Sequence, residues 1–151
     1  MIEEIEDKQT KRNISRLILE ALQDMFEIQE AREQYILESS ELIMVANMHE
    51  GQPQGFLCLR ETGKDTVEIA VMGVLKEFQR KGIGRRLFEA AKALAAKRGY
   101  SFIQVKTVQM GRYVDYDKTN LFYLSLGFKE FEVIPALWDE NNPCQIYVMA
   151  L

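Results

Sequence analysis

The hexapeptide Gln79-Arg80-Lys81-Gly82-Ile83-Gly84 places two glycines and two cations immediately before a helix-periodic apolar run. Glycine has no Cβ, so a ligand can approach such a backbone closely and the chain can turn in ways closed to other residues. The first amides of a helix lack intrahelical partners and carry the positive end of its dipole. A helix start of this kind holds anions, and Arg80, Lys81, Arg85 and Arg86 add four full charges around it. The chemistry invited is the binding of a phosphate or pyrophosphate. Spacing narrows the choice. The GxxxxGK[ST] of a Walker loop is absent, and the third glycine of a dinucleotide fingerprint is replaced by Leu87. Taken alone, the loop serves equally well as a solvated basic helix start.

Such a loop must be held between a strand and a helix, and the flanking pattern supplies both. Thr66 to Leu75 is rich in Val and Ile and reads as a strand. Ile83, Leu87, Ala90, Ala91, Leu94 and Ala95 form one apolar stripe of a helix that Lys97, Arg98 and Gly99 stop. Upstream, residues from about Glu6 to Glu38 follow a helical period, with a second helix expected over Gln29 to Ser39. Leu42 to Met48 and Gly55 to Glu61 form a hairpin around the turn Glu50-Gly51-Gln52-Pro53, and Gly63-Lys64-Asp65 is a further turn. Downstream come a strand from Phe102 to Val108 and a short helix around Thr119 to Ser125, closed by Gly127. The closing strands, Phe128 to Ile134 and Gln145 to Leu151, are separated by an irregular PALWDENNPC segment. The order predicts an α+β domain spanning residues 1–151, with a mixed, mostly antiparallel sheet of about six or seven strands and about four helices.

Composition agrees with a single globular domain: 151 residues, 47% apolar and 28% charged. The net charge of −4 argues against a nucleic-acid binder. The N-terminal MIEEIEDKQTKRN has no apolar signal-peptide core, and no apolar run approaches the roughly 18 residues of a membrane helix. A cytoplasmic protein with neither a membrane nor a nucleic-acid partner is therefore expected. Cys58 and Cys144 form no CxxC pair and read as buried strand residues, with no metal site indicated. His49, the only histidine, lies near no Ser or Cys motif that would make a nucleophilic triad. The four loop cations leave −8 on the rest of the chain, so the average conceals two opposed surfaces.

The stretch VMGVLKEFQRKGIGRRLFEAA resembles the acetyl-coenzyme A signature of the GNAT acyltransferase superfamily, Q/R-x-x-G-x-G/A, with Gln79, Gly82 and Gly84 on its defining positions. About 40 residues on, NLFYLSLGF resembles the family's second motif, with Asn120, Tyr123, Gly127 and Phe128 on the matching positions. The resemblance extends from about Leu42 to Glu132. It implies a GNAT fold, acetyl-CoA as acyl donor without a metal, and an amine acceptor, small molecule or peptide, attacked in a ternary complex. Because dimers are common in the family, a homodimer is a further expectation.

The resemblance also assigns roles, each of which has a plainer counterpart. Cofactor binding falls to Val74, Gln79, Arg80, Lys81, Gly82, Ile83, Gly84, Arg85, Asn120 and Tyr123. Asn120 equally suits a helix cap. Gly73-Val74-Leu75 is the strand end expected to present the thioester's amide donor, Val74, with Gly73 marking a bulge or a close packing contact. Tyr123 is the candidate acid for the departing thiolate, although among Leu121, Phe122, Leu124 and Leu126 a tyrosine also packs as core. Glu68, 14 positions before Gly82, is the candidate base, and a solvent-facing glutamate of an alternating strand is the other reading. A base or a water relay is required because a lysine-like amine is neutral in only about 0.04% of molecules at pH 7. Trp138, Asp139 and Glu140 form either an aromatic and acidic acceptor wall or an ordinary solvated turn. A catalytically idle acyl-CoA-binding module, a nucleotide-phosphate binder and an interaction domain with a basic patch are the competing functions.

Overall fold

The computed structural model describes every residue from Met1 to Leu151. Alternating apolar residues build seven strands, β1 (Ile2–Ile5), β2 (Ile43–His49), β3 (Gln52–Gly63), β4 (Thr66–Val74), β5 (Phe102–Val108), β6 (Lys129–Asp139) and β7 (Asn142–Ala150). Four helices join them: α1 (Lys8–Ala21), α2 (Gln29–Ser39), α3 (Ile83–Lys97) and α4 (Val114–Ser125). The strands form one sheet in the order β1-β2-β3-β4-β5-β7-β6. Every pairing is antiparallel except β4 with β5. The parallel pair follows from α3, which crosses between its two strands. The mixed, mainly antiparallel sheet and the four helices match the expected architecture.

Each face of the sheet carries its own core. On one side Ile83, Leu87, Phe88, Ala91 and Ala95 of α3 and Tyr123 of α4 pack on Val45, Leu57, Leu59, Ile103 and Val105. On the other, Ile14, Ile18 and Leu19 of α1, Leu22 at its C-terminal cap and Ile36 of α2 cover Met44, Ala46, Phe56, Cys58 and Val71. Asp7 caps α1 by accepting from the Thr10 amide at 2.8 Å, and that bond holds its carboxyl below the usual range. The hydroxyls of Ser15 and Ser39, 2.9 Å apart, tie α1 to α2 in the interior.

Several boundaries differ from those read in the sequence. Ile2–Ile5 forms a strand in a segment that sequence composition marks only as charged. It is held by backbone pairing to β2, which composition does not reveal. The long helical pattern breaks after Ala21, and α2 starts afresh at Gln29. Gln52 and Pro53 belong to β3, and α4 begins at Val114 rather than near Thr119. The PALWDENNPC segment is not irregular throughout. β6 runs on to Asp139, whose carboxylate accepts from the Asn141 amide and the Asn142 side chain, closing a tight turn into β7. The solvated-turn reading of Asp139 therefore holds, while Trp138 is half exposed on the outer strand.

Gly73 is not the bulge. The register shifts between Cys58 and Leu59 of β3, opposite Val71 and Ile69, which leaves Ala70 as the extra residue of β4. The inserted residue reverses the alternation, since Val67 and Ile69 lie on the α3 side whereas Val71 lies on the α1 side. Gly73 serves close packing: a Cβ there would stand 3.0 Å from Leu22 Cδ1 and 3.1 Å from Ile18 Cγ2.

Candidate active site

β4 and β5 are paired only over Thr66–Phe102, Val67–Ile103 and Glu68–Gln104. Beyond Glu68 the strands diverge, opening a gap at the end of β4 that leads to the glycine loop. The edge of β4 facing that gap follows from hydrogen-bond phase. The Leu75 amide donates to Gln54 O at 2.9 Å, making those opposed residues a bonded pair. Antiparallel pairs alternate, so Met72 and Val74 direct their backbone groups away from β3 and into the gap. The Val74 carbonyl is met there by Gln79 Nε2 at 2.8 Å. Met72 thus shares the amide orientation expected of Val74. Sequence reasoning missed it because the phase depends on the bulge at Ala70.

The loop itself is shaped as an anion cradle. After a 3-10 turn at Lys76–Phe78, Arg80 and Gly82 take positive φ angles of 62° and 82°, and Gly82 caps α3. None of the amides from Arg80 to Arg85 donates to a protein acceptor; the first bond of the helix runs from the Arg86 amide to Gly82 O. Six adjacent donors are therefore left without protein partners at the positive end of the helix. Lys81 lies over the Phe78 ring, 5.7 Å from its centroid, and Arg86 donates to Lys81 O at 3.2 Å. Arg85 reaches the Ser125 hydroxyl at 3.2 Å, tying the loop to α4. Ile83 points into the core. Gly84 lets α4 approach, since a Cβ there would lie 3.2 Å from Phe122 Cζ. Side-chain-free backbone and unspent donors fit a pyrophosphate.

Tyr123 is buried among Phe122, Phe128 and Tyr147. Its hydroxyl makes no hydrogen bond to protein, yet no fully buried polar side-chain atom in the molecule lacks a partner. The ring is therefore enclosed while the hydroxyl reaches accessible space. Burial pushes the phenol well above its ordinary range, so it stays protonated at neutral pH.

Asn120 departs from both roles read for it. It lies inside α4 and is fully buried, so it caps nothing. Its amide nitrogen donates to Val108 O at 2.9 Å and Tyr116 O at 2.7 Å, and its oxygen accepts from the Tyr147 hydroxyl at 2.6 Å. With those groups engaged it pins α4 to β5 and β7 instead of facing a ligand.

Glu68, the last residue of β4 paired with β5, is buried rather than solvent-facing. Lys106 donates to it at 3.1 Å and Arg60 stands 3.9 Å away. Cys58 and Cys144 are buried free thiols. Desolvation pushes Cys58 up to about 12, which leaves it un-ionised and unreactive at neutral pH. His49 is exposed at the end of β2. No helix is long and apolar enough to cross a membrane.

Comparison with known proteins identifies the family and the fold. The sequence model of the acetyltransferase (GNAT) domain matches residues 39–130. An uncharacterized N-acetyltransferase of Chlorobaculum tepidum is 32% identical over 84 residues, 56% of this chain and 48% of that protein. The chain thus spans about half the length of the curated relative it matches. Among solved structures, a GNAT-family acetyltransferase from Desulfovibrio desulfuricans superposes with a TM-score of 0.78 at 17% identity, covering 99% of this chain and 98% of that one. An aminoglycoside 6'-N-acetyltransferase complexed with coenzyme A gives 0.74 at 20% identity, with 99% and 96% covered. With the family's domain matched over more than half its length, this chain belongs to the GNAT acetyltransferase family.

Proposed function

We propose that the protein transfers an acetyl group from acetyl-CoA to an amine by direct attack within a ternary complex. The observation that carries this reading is the presence of unspent loop amides next in sequence to an unpaired edge of β4. The unspent amides from Arg80 to Arg85 follow a strand end whose Met72 and Val74 backbone groups face the gap. A phosphate-bearing ligand with an extended, amide-containing arm suits the two together, and coenzyme A has both parts.

The loop amides, with Arg80, Lys81 and Arg85, hold the pyrophosphate, while Gln79 braces the loop through the Val74 carbonyl. Glu68 receives the proton lost by the amine as its nitrogen bonds to the thioester carbon. The amide of Val74 donates to the oxygen on which negative charge develops. Tyr123 gives its proton to the sulfur as the carbon–sulfur bond breaks. The ammonium form of the acceptor first loses one proton to solvent; in the transfer itself one proton then goes from the neutral amine to the carboxylate and one from phenol to thiolate, and exchange with solvent restores both residues.

Two measurements bear on this scheme. Acetyl-CoA is expected to bind with a micromolar-range Kd by calorimetry, and Gly84→Leu to weaken it at least tenfold, because the new side chain meets Phe122 and crowds the cradle. Absence of any thermal shift with 1 mM coenzyme A would overturn the reading. Glu68→Gln removes the proton acceptor, so the rate at pH 7 is expected to fall at least tenfold. An unaltered rate would assign deprotonation to a water relay.

A further inference from the structure

Four charged side chains form a row on the face of the sheet that α1 and α2 cover. Glu38 of α2 accepts from Arg60 of β3 at 2.6 Å, Arg60 stands 3.9 Å from Glu68 of β4, and Lys106 of β5 reaches Glu68 at 3.1 Å. The signs alternate, yet the ends of the row are unequal. Glu38 accepts a second bond from Gln34 within its own helix. Lys106 spends one of its three donors, and 27% of its side chain remains exposed.

The position of Lys106 explains why its other donors stay free. It lies two residues beyond Gln104, the last residue of β5 paired with β4, so no strand flanks it on that side. Across β7 its neighbour is Ile146, and Glu132 of β6, beyond Ile146, makes no ion pair with it. The result is a fixed ammonium at the mouth of the gap, adjacent to the carboxylate given to the acceptor's nitrogen. A polycation brought to Glu68 would meet like charge from Lys106 on one side and Arg60 on the other. A molecule carrying an acid group beside its amine would match both signs at once.

We propose that the acceptor is an amine with a carboxylate close to its nitrogen, an amino acid or a close relative, and that Lys106 selects it by binding that carboxylate. This rests on the reading of Glu68 as the group facing the acceptor amine. The half-buried ring of Tyr35, with Phe26 edge-on at 6.1 Å, lies near Arg60 and Glu68 and gives the side chain of such an acceptor an aromatic surface.

The test uses pairs that differ only in the carboxylate: phenylalanine with phenethylamine, leucine with isoamylamine and glycine with methylamine, together with spermidine as a polycation. Binding to the free and the coenzyme A-saturated protein is measured by calorimetry, and transfer by thiol release from acetyl-CoA. At least one carboxylate is expected to exceed its paired amine, and spermidine, at least tenfold in both affinity and kcat/KM. Lys106→Met is expected to abolish that preference while leaving the Kd for acetyl-CoA within twofold, and Lys106→Arg to retain it. Equal or better use of the decarboxylated amines or of spermidine overturns the proposal, as does a preference that survives Lys106→Met. The two readings fail separately. Loss of acetyl-CoA binding defeats acyl transfer, whereas intact acetyl-CoA binding without a carboxylate preference defeats only the role of Lys106.

Discussion

Replacing Tyr123 by Phe is expected to lower kcat about a hundredfold while leaving the Kd for acetyl-CoA within twofold. The asymmetry follows from how the side chain is divided. Its ring is packed against Phe122, Phe128 and Tyr147, and phenylalanine retains that packing. The hydroxyl bonds to nothing in the protein, so removing it leaves no buried partner unsatisfied and costs little stability. What is lost, on the proposed scheme, is the proton donor to the departing thiolate, a phenol that burial holds neutral. A factor of a hundred corresponds to about 2.7 kcal/mol of barrier. Single-turnover kinetics separate the step from product release, and an unchanged rate would remove Tyr123 as the acid. An equal loss in kcat and in acetyl-CoA affinity would instead make it a binding residue.

The reach of the sequence can be judged from the same residues. The glycine loop was legible because its function is carried by backbone: two glycines, a preceding strand and a following helix suffice to define it. Local chemistry of that kind survives in a linear string. Sheet phase does not. Whether Val74 points its amide into the gap depends on the Leu75–Gln54 bond and on one extra residue at Ala70, a bulge without glycine or proline to announce it. The run of β6 on to Asp139 was concealed in the same way, since a strand end followed by a polar turn looks like an irregular loop. Glu68 shows the limit for charges. Alternation suggested exposure, whereas the carboxylate is buried and the strands β3 and β5 supply Arg60 and Lys106 as partners from other parts of the chain. Charge neutralisation across strands cannot be read from net charge or spacing.

Asn120→Ala is expected to destabilise the fold by about 3 kcal/mol, because it strands buried groups on two other elements. The Val108 carbonyl at the end of β5 loses its donor, and the Tyr147 hydroxyl on β7 loses its acceptor, both at a position closed to water. For a domain of this size such a loss lowers the melting temperature by roughly 6–12 °C. Tyr147→Phe breaks the same bond from the other side and is expected to cost less, since it leaves the two donor bonds of Asn120 intact. The double variant should be less destabilised than the two single costs combined, with a coupling of about 1 kcal/mol or more, because the Asn120–Tyr147 bond is counted in both. The cycle distinguishes two kinds of asparagine. One that contacts the cofactor would leave the melting temperature of the free protein nearly unchanged, raise the Kd for acetyl-CoA and show no coupling to Tyr147. One that pins α4 lowers the melting temperature with or without coenzyme A, and leaves the Kd of the folded fraction close to that of the parent protein. The second outcome is expected, because every hydrogen bond of the Asn120 side chain runs to a protein group on α4, β5 or β7.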